Sequence, residues 1–315
     1  MKSSSSLKYS LLLLTFVGHV YAEDTSTAVN DEGGLINNWM SMVAKTKEEQ
    51  PHWITPLATV TPRLEQELRM DVSKQYMNTG FDYTNYGGGK GLELIPTENT
   101  EIIVNAPNYQ TRDVRNLTAI NSLISKGSYP NTGWQDESLL VKYRFLSANE
   151  ENGNYIVTGF LGASLPTGDE ELTSRNNITT YSNHKEIYTA TLAAGKGWGD
   201  RESGISIQST LGMSDIVGNQ LKTGTNIPSV QWNTSLQGHV SKYFWPEIEL
   251  NTTHFEDGLL HGKNQVLVTY GVMLGRFTIN EHSNFIIGAG YQNAISSSTS
   301  NAYDRGWTMS ARITF

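Results

Sequence analysis

The sequence predicts an all-β chain: a transmembrane antiparallel up-and-down β-barrel of about 12 strands, with a short N-terminal amphipathic helix. Three observations predict it. The chain opens on a secretory leader, and it closes on an alternating strand with a terminal aromatic residue. Between them, segments of about ten residues with period-two character recur to the end.

The leader comes first. Lys2 and Lys8 flank the start, Leu11 to Val17 form a short apolar core, and Val20-Tyr21-Ala22 places small residues near a cut site. That arrangement predicts a signal peptide over 1–22, cleaved after Ala22. The apolar run falls well short of the ~20 residues a spanning helix needs. The chain has no cysteine, which excludes a disulfide scaffold and a cysteine-anchored lipoprotein. Its formal charge is −8 and becomes more acidic once the leader lysines are gone. An acidic chain does not suit nucleic acid, whose phosphates demand a basic face. Mean hydropathy is −0.39, which a barrel tolerates because only alternate strand residues face lipid.

Residues 23–59 are expected to form a periplasmic extension. Leu35, Ile36, Trp39, Met42 and Val43 recur at helical spacing, and Lys45 to Glu49 close the run with charges. The spacing predicts an amphipathic helix over about 34–48. Two roles stay open for it: a structural periplasmic helix, or a hatch that enters the barrel from below.

The barrel is expected over 60–315. Its opening stretch carries two periods at once. Leu64, Leu68 and Val72 recur every four residues, yet Arg63, Glu65, Glu67, Arg69 and Asp71 alternate strictly with Leu64, Gln66, Leu68, Met70 and Val72. Pro62 suits a helix start or a strand edge equally. An even strand count requires a strand here, with Leu64, Leu68, Met70 and Val72 in lipid and the charges inside.

Eleven more segments follow, at 87–96, 100–109, 138–146, 154–165, 185–195, 204–213, 229–241, 246–255, 264–276, 284–292 and 304–315. With the opening strand near 60–73, the gaps run mostly long then short, long then short. Outer-membrane barrels show that rhythm, with long outer loops, short periplasmic turns and both chain ends periplasmic. In the last segment Trp307, Met309, Ala311, Ile313 and Phe315 share one face. The terminal aromatic matches the closing strand that the barrel assembly machinery recognises. Lipid and lipopolysaccharide of the outer membrane are the expected surroundings.

The same parity places Glu93, Lys142, Arg144, Glu247, Glu249 and Arg312 inside with Arg63, Glu65, Glu67, Arg69 and Asp71, beside Gln231, Asn233, Gln237 and His239. A charge on the lipid face would cost ~2–4 kcal/mol near the midplane. Acids and bases nearly balance, which suggests ion pairs that stiffen the lumen.

Catalytic and metal patterns are weak. His282 and Ser283 of "EHSNF" are adjacent, so on a strand they point to opposite faces and cannot share a proton. His184, His254 and His261 fall in or near outer loops and lack metal-ligand spacing. The glycines of "YGGGKG" and "AAGKGWGD" lack phosphate-loop spacing and read as turns and strand ends. No enzyme activity, cofactor or metal is expected, and an outer-membrane hydrolase ranks third among the readings.

Several strings together resemble a known family: "HWITPLATVTPRLEQELR", "YGGGKGLELIP", "ASLPTGDE", "TLAAGKGWGD", "QSTLG", "KYFWPEIELN" and "LGRF". They are similar to outer-membrane barrels of the meta-pathway of phenol degradation family, from about His52 to Phe315. The resemblance implies a transporter-like barrel linked with uptake of aromatic or apolar compounds, and supplies no catalytic residues. The expected function is a channel for passive uptake of small solutes, aromatic or apolar. The alternative is a non-conducting structural or adhesive barrel whose loop at 110–137 binds a partner.

Overall fold

Alternation along the strands decides the architecture. The computed structural model describes residues 34–77, 81–87, 90–105, 107–114, 132–169, 186–217, 228–257 and 260–315. The expected leader over 1–22 and most of the loop at 110–137 lie outside these residues. The chain divides into two compact units, Met1–Asn38 and Trp39–Phe315. Of the first, Gly34–Asn38 are described, and they begin helix α1 (Leu35–Glu48).

Fifteen strand segments follow: β1 (Glu67–Tyr76), β2 (Phe81–Tyr86), β3 (Leu92–Thr97), β4 (Thr100–Asn105), β5 (Tyr109–Val114), β6 (Thr132–Trp134), β7 (Glu137–Ala148), β8 (Tyr155–Leu165), β9 (Glu186–Gly199), β10 (Gly204–Val217), β11 (Ser229–His239), β12 (Phe244–Phe255), β13 (Asn264–Thr278), β14 (Asn284–Ala294) and β15 (Arg305–Thr314). Three staves are each broken in two, as β2/β3, β4/β5 and β6/β7. The segments therefore make a closed antiparallel barrel of twelve staves. Closure runs from Glu67↔Thr314 to Tyr76↔Arg305, between β1 and β15. A closed sheet satisfies its backbone hydrogen bonds without leaving an edge.

The outer face is apolar. Leu68, Met70, Leu161, Leu211, Trp232, Tyr270 and Met309 are each more than half exposed. Their inward neighbours Arg69, Thr158, Gln208, Thr269 and Arg312 are buried. Exposed hydrophobes around buried charge invert the soluble pattern and suit a lipid surround.

Two expectations need correction. The first strand begins at Glu67, not near Val60, and the break between β2 and β3 shortens the first loop to residues 77–80. Thr61 to Gln66 form no strand, bend at Pro62–Arg63 and lie buried inside the barrel rather than in its wall. Leu64, expected in lipid, is fully buried with Val43 and Ile95. Alternation reports a segment with two unlike faces; it does not say what covers them.

Candidate functional site

The lumen is the site, and its end near the short turns is filled by the chain's own residues Gln50 to Gln66. This segment enters, turns at Leu57–Thr59 and returns to β1. Gln50 closes its base: the Gln50 amide nitrogen donates to the Leu64 carbonyl at 2.7 Å, and the Leu64 backbone donates back to Gln50 Oε1 at 2.9 Å. Inside the loop Arg63 pairs with Glu65 at 2.9 Å and donates to the Trp53 carbonyl, while Thr55 Oγ1 donates to Glu65 at 3.0 Å. Such internal bonding makes it a compact Ω-type loop, a stopper with its own structure.

A loop without regular secondary structure must find partners for its backbone groups when buried. The barrel wall supplies them. Arg312 donates to the carbonyls of Thr55 at 2.6 Å and Pro56 at 2.9 Å, and Arg69 to Leu57 at 2.6 Å. Arg276 reaches the Trp53 carbonyl at 3.0 Å and Lys142 the Arg63 carbonyl at 3.1 Å. Carboxylates take the amides: Leu57 donates to Glu247 at 3.1 Å, and Ala58 and Thr59 to Glu249 at 2.8 and 2.5 Å. The Glu65 amide donates to Glu101, whose carboxylate also pairs with Lys142 at 2.9 Å. Charged partners make these bonds stronger than neutral ones.

Apolar contacts seat the loop. Ile54 and Leu57 cluster with Trp245, Met273 and Ile286. Glycines in the wall leave them room. A Cβ on Gly195 or Gly197 would stand 2.5 Å from the Trp53 ring. One on Gly271, Gly288 or Gly290 would come within 2.6, 3.0 or 2.8 Å of Leu57. Gly195 and Gly197, read from sequence as turn residues, are thus inward positions of β9 that receive a tryptophan. The base is tightly packed; a cavity beside His52, Trp53, His239 and Trp245 has ≈ 20 Å³, room for about one water.

The turn-end mouth is clasped from below. Glu150, in the β7–β8 turn, accepts from the His52 backbone at 2.6 Å and lies 2.7 Å from its Nδ1. Burial pushes the Glu150 carboxyl up, but the His52 hydrogen bonds outweigh it and hold the group down at about 2. Arg201 donates to Glu48 at 2.6 Å, which keeps Glu48 below its usual range. Lys47 donates to the Phe315 carbonyl at 2.9 Å, and the Phe315 amide donates to Gln66 at 3.1 Å.

Most of the charges expected on the lumen wall are found on inward strand positions: Glu67, Arg69, Glu93, Lys142, Arg144, Glu247, Glu249 and Arg312 are all buried. Asp71 pairs with Arg69 at 2.9 Å. Arg63 and Glu65 sit on the stopper instead, because the strand starts later than its alternation suggests. Arg144 faces α1, donating to the Thr46 carbonyl at 3.2 Å and pairing with Glu49 at 3.4 Å. In β15, Trp307, Met309 and Ile313 point outward, with Met309 and Ile313 exposed. Glu101 and Arg276 escaped the sequence reading although both grip the loop. Glu101 stands on an inward position of β4 and follows the same parity, whereas the pairing of β13 slips between Leu274 and Phe277, which hides Arg276.

Above the stopper, ladder pairs are sparse among the described residues. Pairing between β3 and β4 ends at Leu92↔Val104 and resumes between β2 and β5 at Tyr86↔Tyr109. Between these pairs no ladder pair is found among the described residues; Gly91 stands against Val104 at one end of the span, Gly87 beside Asn108 at the other, and residues 88, 89 and 106 lie outside the described residues. On its far side the β6/β7 break is covered by Leu165–Asp169, the "LPTGD" string. The Trp134 amide donates to Asp169 at 2.8 Å, the Glu137 amide to Thr167 at 2.9 Å, and the Gly168 amide to Asp136 at 3.0 Å.

The chain is similar in structure to an outer membrane channel from Pseudomonas putida F1, at 12% identity over 83% of this chain and 99% of that one, with a TM-score of 0.49. It is also similar to the NanC porin, at 9% identity over 78% and 98% of the chains and a TM-score of 0.43. A third likeness is to the beta domain of the Bordetella autotransporter BrkA, at 12% identity over 79% and 98% and a TM-score of 0.45. No family model and no curated protein matches the sequence.

Proposed function

We propose that this chain is an outer-membrane channel for passive uptake of small aromatic or apolar solutes, which enter from the loop end and leave sideways through the wall. The observation that carries this reading is the coincidence of two features at one height: the lumen is filled from below up to Leu57–Thr59, and just above, among the described residues, no ladder pair is found between Leu92↔Val104 and Tyr86↔Tyr109. A solute descending the lumen meets the stopper at the height of that span. An apolar solute leaving there enters lipid, which the mixed charge below would not favour.

The apolar outer belt and closed sheet support the membrane assignment. The short turns at one end support placing that end, with the chain termini, in the periplasm. The family resemblance of the sequence favours aromatic compounds. The runner-up is a non-conducting barrel, favoured by the bonding of the stopper on every side.

A crosslink separates them. The chain has no cysteine of its own, and a Cβ on Gly87 would lie 3.9 Å from the Asn108 side chain across the break. In the pair Gly87→Cys/Asn108→Cys, oxidation should stop protein-dependent entry of a neutral apolar dye into intact cells, and reduction should restore it. Dye entry indifferent to the disulfide would rule out the sideways route, and no entry in either state would favour the non-conducting barrel.

A further inference from the structure

We propose that Lys90 is a head-group anchor at the wall break, and that the solutes of this barrel are amphiphiles carrying one anionic group on an apolar body. The inference rests on the sideways-release reading above and names its substrate class.

Lys90 stands in the break itself, between Gly87 and Gly91, and is 7% exposed. Both flanking glycines have left-handed backbone, with φ of +84° and +59°, and a Cβ on Gly91 would strike the Val104 carbonyl at 2.4 Å. The side chain lies among the inward-facing charges of Glu93, Arg69, Lys142 and Arg312. Among the described residues, no hydrogen bond or ion pair takes its ammonium. The contrast with its neighbours is sharp. Arg69 has Asp71 and the Leu57 carbonyl, Lys142 has Glu101 and the Arg63 carbonyl, and Arg312 has the Thr55 and Pro56 carbonyls. Glu93 does not close the gap: it acts on Lys90 only through space, and no hydrogen bond or ion pair joins the two.

A buried ammonium with no acceptor is a costly arrangement that a ligand can relieve. An anionic head beside Lys90 supplies the missing acceptor through a charge-assisted bond. The space above suits its arrival. Inward positions of the loop half carry Ser73, Asn85, Gln110, Asn233, Asn251 and Gln292, which bond a polar head without discriminating by charge. Of the charges there, Asp71 is held by Arg69, and Arg112 lies over the Tyr83 ring at 5.2 Å. At the lip of the break, Leu92 and Val104 are outward and exposed, ready to receive the apolar body.

Two dyes of one skeleton test this: 8-anilinonaphthalene-1-sulfonate and its neutral counterpart N-phenyl-1-naphthylamine. Their entry is followed by fluorescence in intact cells expressing the full-length protein, with heat-modifiable gel migration as the folding control. The protein should accelerate the sulfonate more than the neutral dye. Lys90→Gln should cut sulfonate entry about tenfold, the value of one charge-assisted bond, while leaving the neutral dye unchanged. Lys90→Arg should retain the preference. Acceleration of both dyes alike, or a sulfonate rate untouched by Lys90→Gln, would overturn the anchor and leave the channel standing. Acceleration of neither dye would overturn the channel reading itself.

Discussion

In the turn half of the barrel Glu247, Glu249, Arg69, Arg276 and Arg312 project inward and grip the backbone of the inserted loop. In the loop half the same strands present Asn251, Thr253, Ser73 and Thr308 to the lumen. The two halves share one sheet and one alternation of faces, and they differ in what they face. Charge is concentrated where a peptide has to be held, because a buried irregular backbone needs strong donors and acceptors. Amides and hydroxyls line the part that the loop leaves unfilled. A count of inward charges, taken alone, therefore measures the stopper and says little about selectivity.

The largest break in that comparison should come from the carboxylate at the loop's apex. Glu249 is fully buried and accepts from both Ala58 and Thr59. Glu249→Ala leaves the buried Thr59 amide and the partly buried Ala58 amide without their acceptor and should weaken the seating of the loop by about 3 kcal/mol. Hydrogen exchange at Ala58 and Thr59 should then accelerate by more than tenfold while the β10 amides hold their rates. Equal protection in the variant would mean the wall charges do not hold the stopper.

A smaller effect is expected at the Leu57 socket. Gly290→Val puts its side chain against Leu57, 2.8 Å from a Cβ at that position, and should cost about 1–3 kcal/mol through overpacking. Leu57→Ala should recover most of that loss, giving a coupling energy that two independent sites would not show. Chemical denaturation of the four proteins of this cycle measures it. Additive losses would place the strain on Thr269, whose methyl also lies against Gly290, and not on the loop.

These positions also show where the sequence was readable. Strand parity follows from local chemistry, so the inward places of Glu93, Lys142, Glu247, Glu249 and Arg312 could be read one strand at a time. The helix over Leu35–Glu48 was legible from its apolar spacing for the same reason. The stopper was not, because Arg63 and Glu65 alternate with Leu64 and Gln66 as wall residues would. Only tertiary context tells a segment that belongs to a sheet from one beside it. The signals that could be read were the glycines at 195, 197, 271, 288 and 290, which fall on inward positions within β9, β13 and β14. Five missing side chains along inner faces imply something else filling the space.

The smallest effect, and the one that sharpens the comparison at its lower boundary, is a pH dependence at the mouth. Glu150 is held at about 2, against an ordinary carboxyl value of 4.5, by its bonds from His52. A depressed acid stabilises the clasp fully above its ordinary value and ceases to do so as pH falls through about 2, because the released state takes up the proton first. Between those limits the His52 end of the loop should loosen while the apex, fixed by Glu247 and Glu249, stays seated. Limited proteolysis near His52 as a function of pH reads this directly. Glu150→Gln keeps the shape and removes the titration, so its cleavage rate should be higher at neutral pH and flatter between pH 4.5 and 2. A wild-type profile already flat over that interval would mean the clasp draws its strength from elsewhere, and Arg201 with Glu48 would then be the pair holding the mouth.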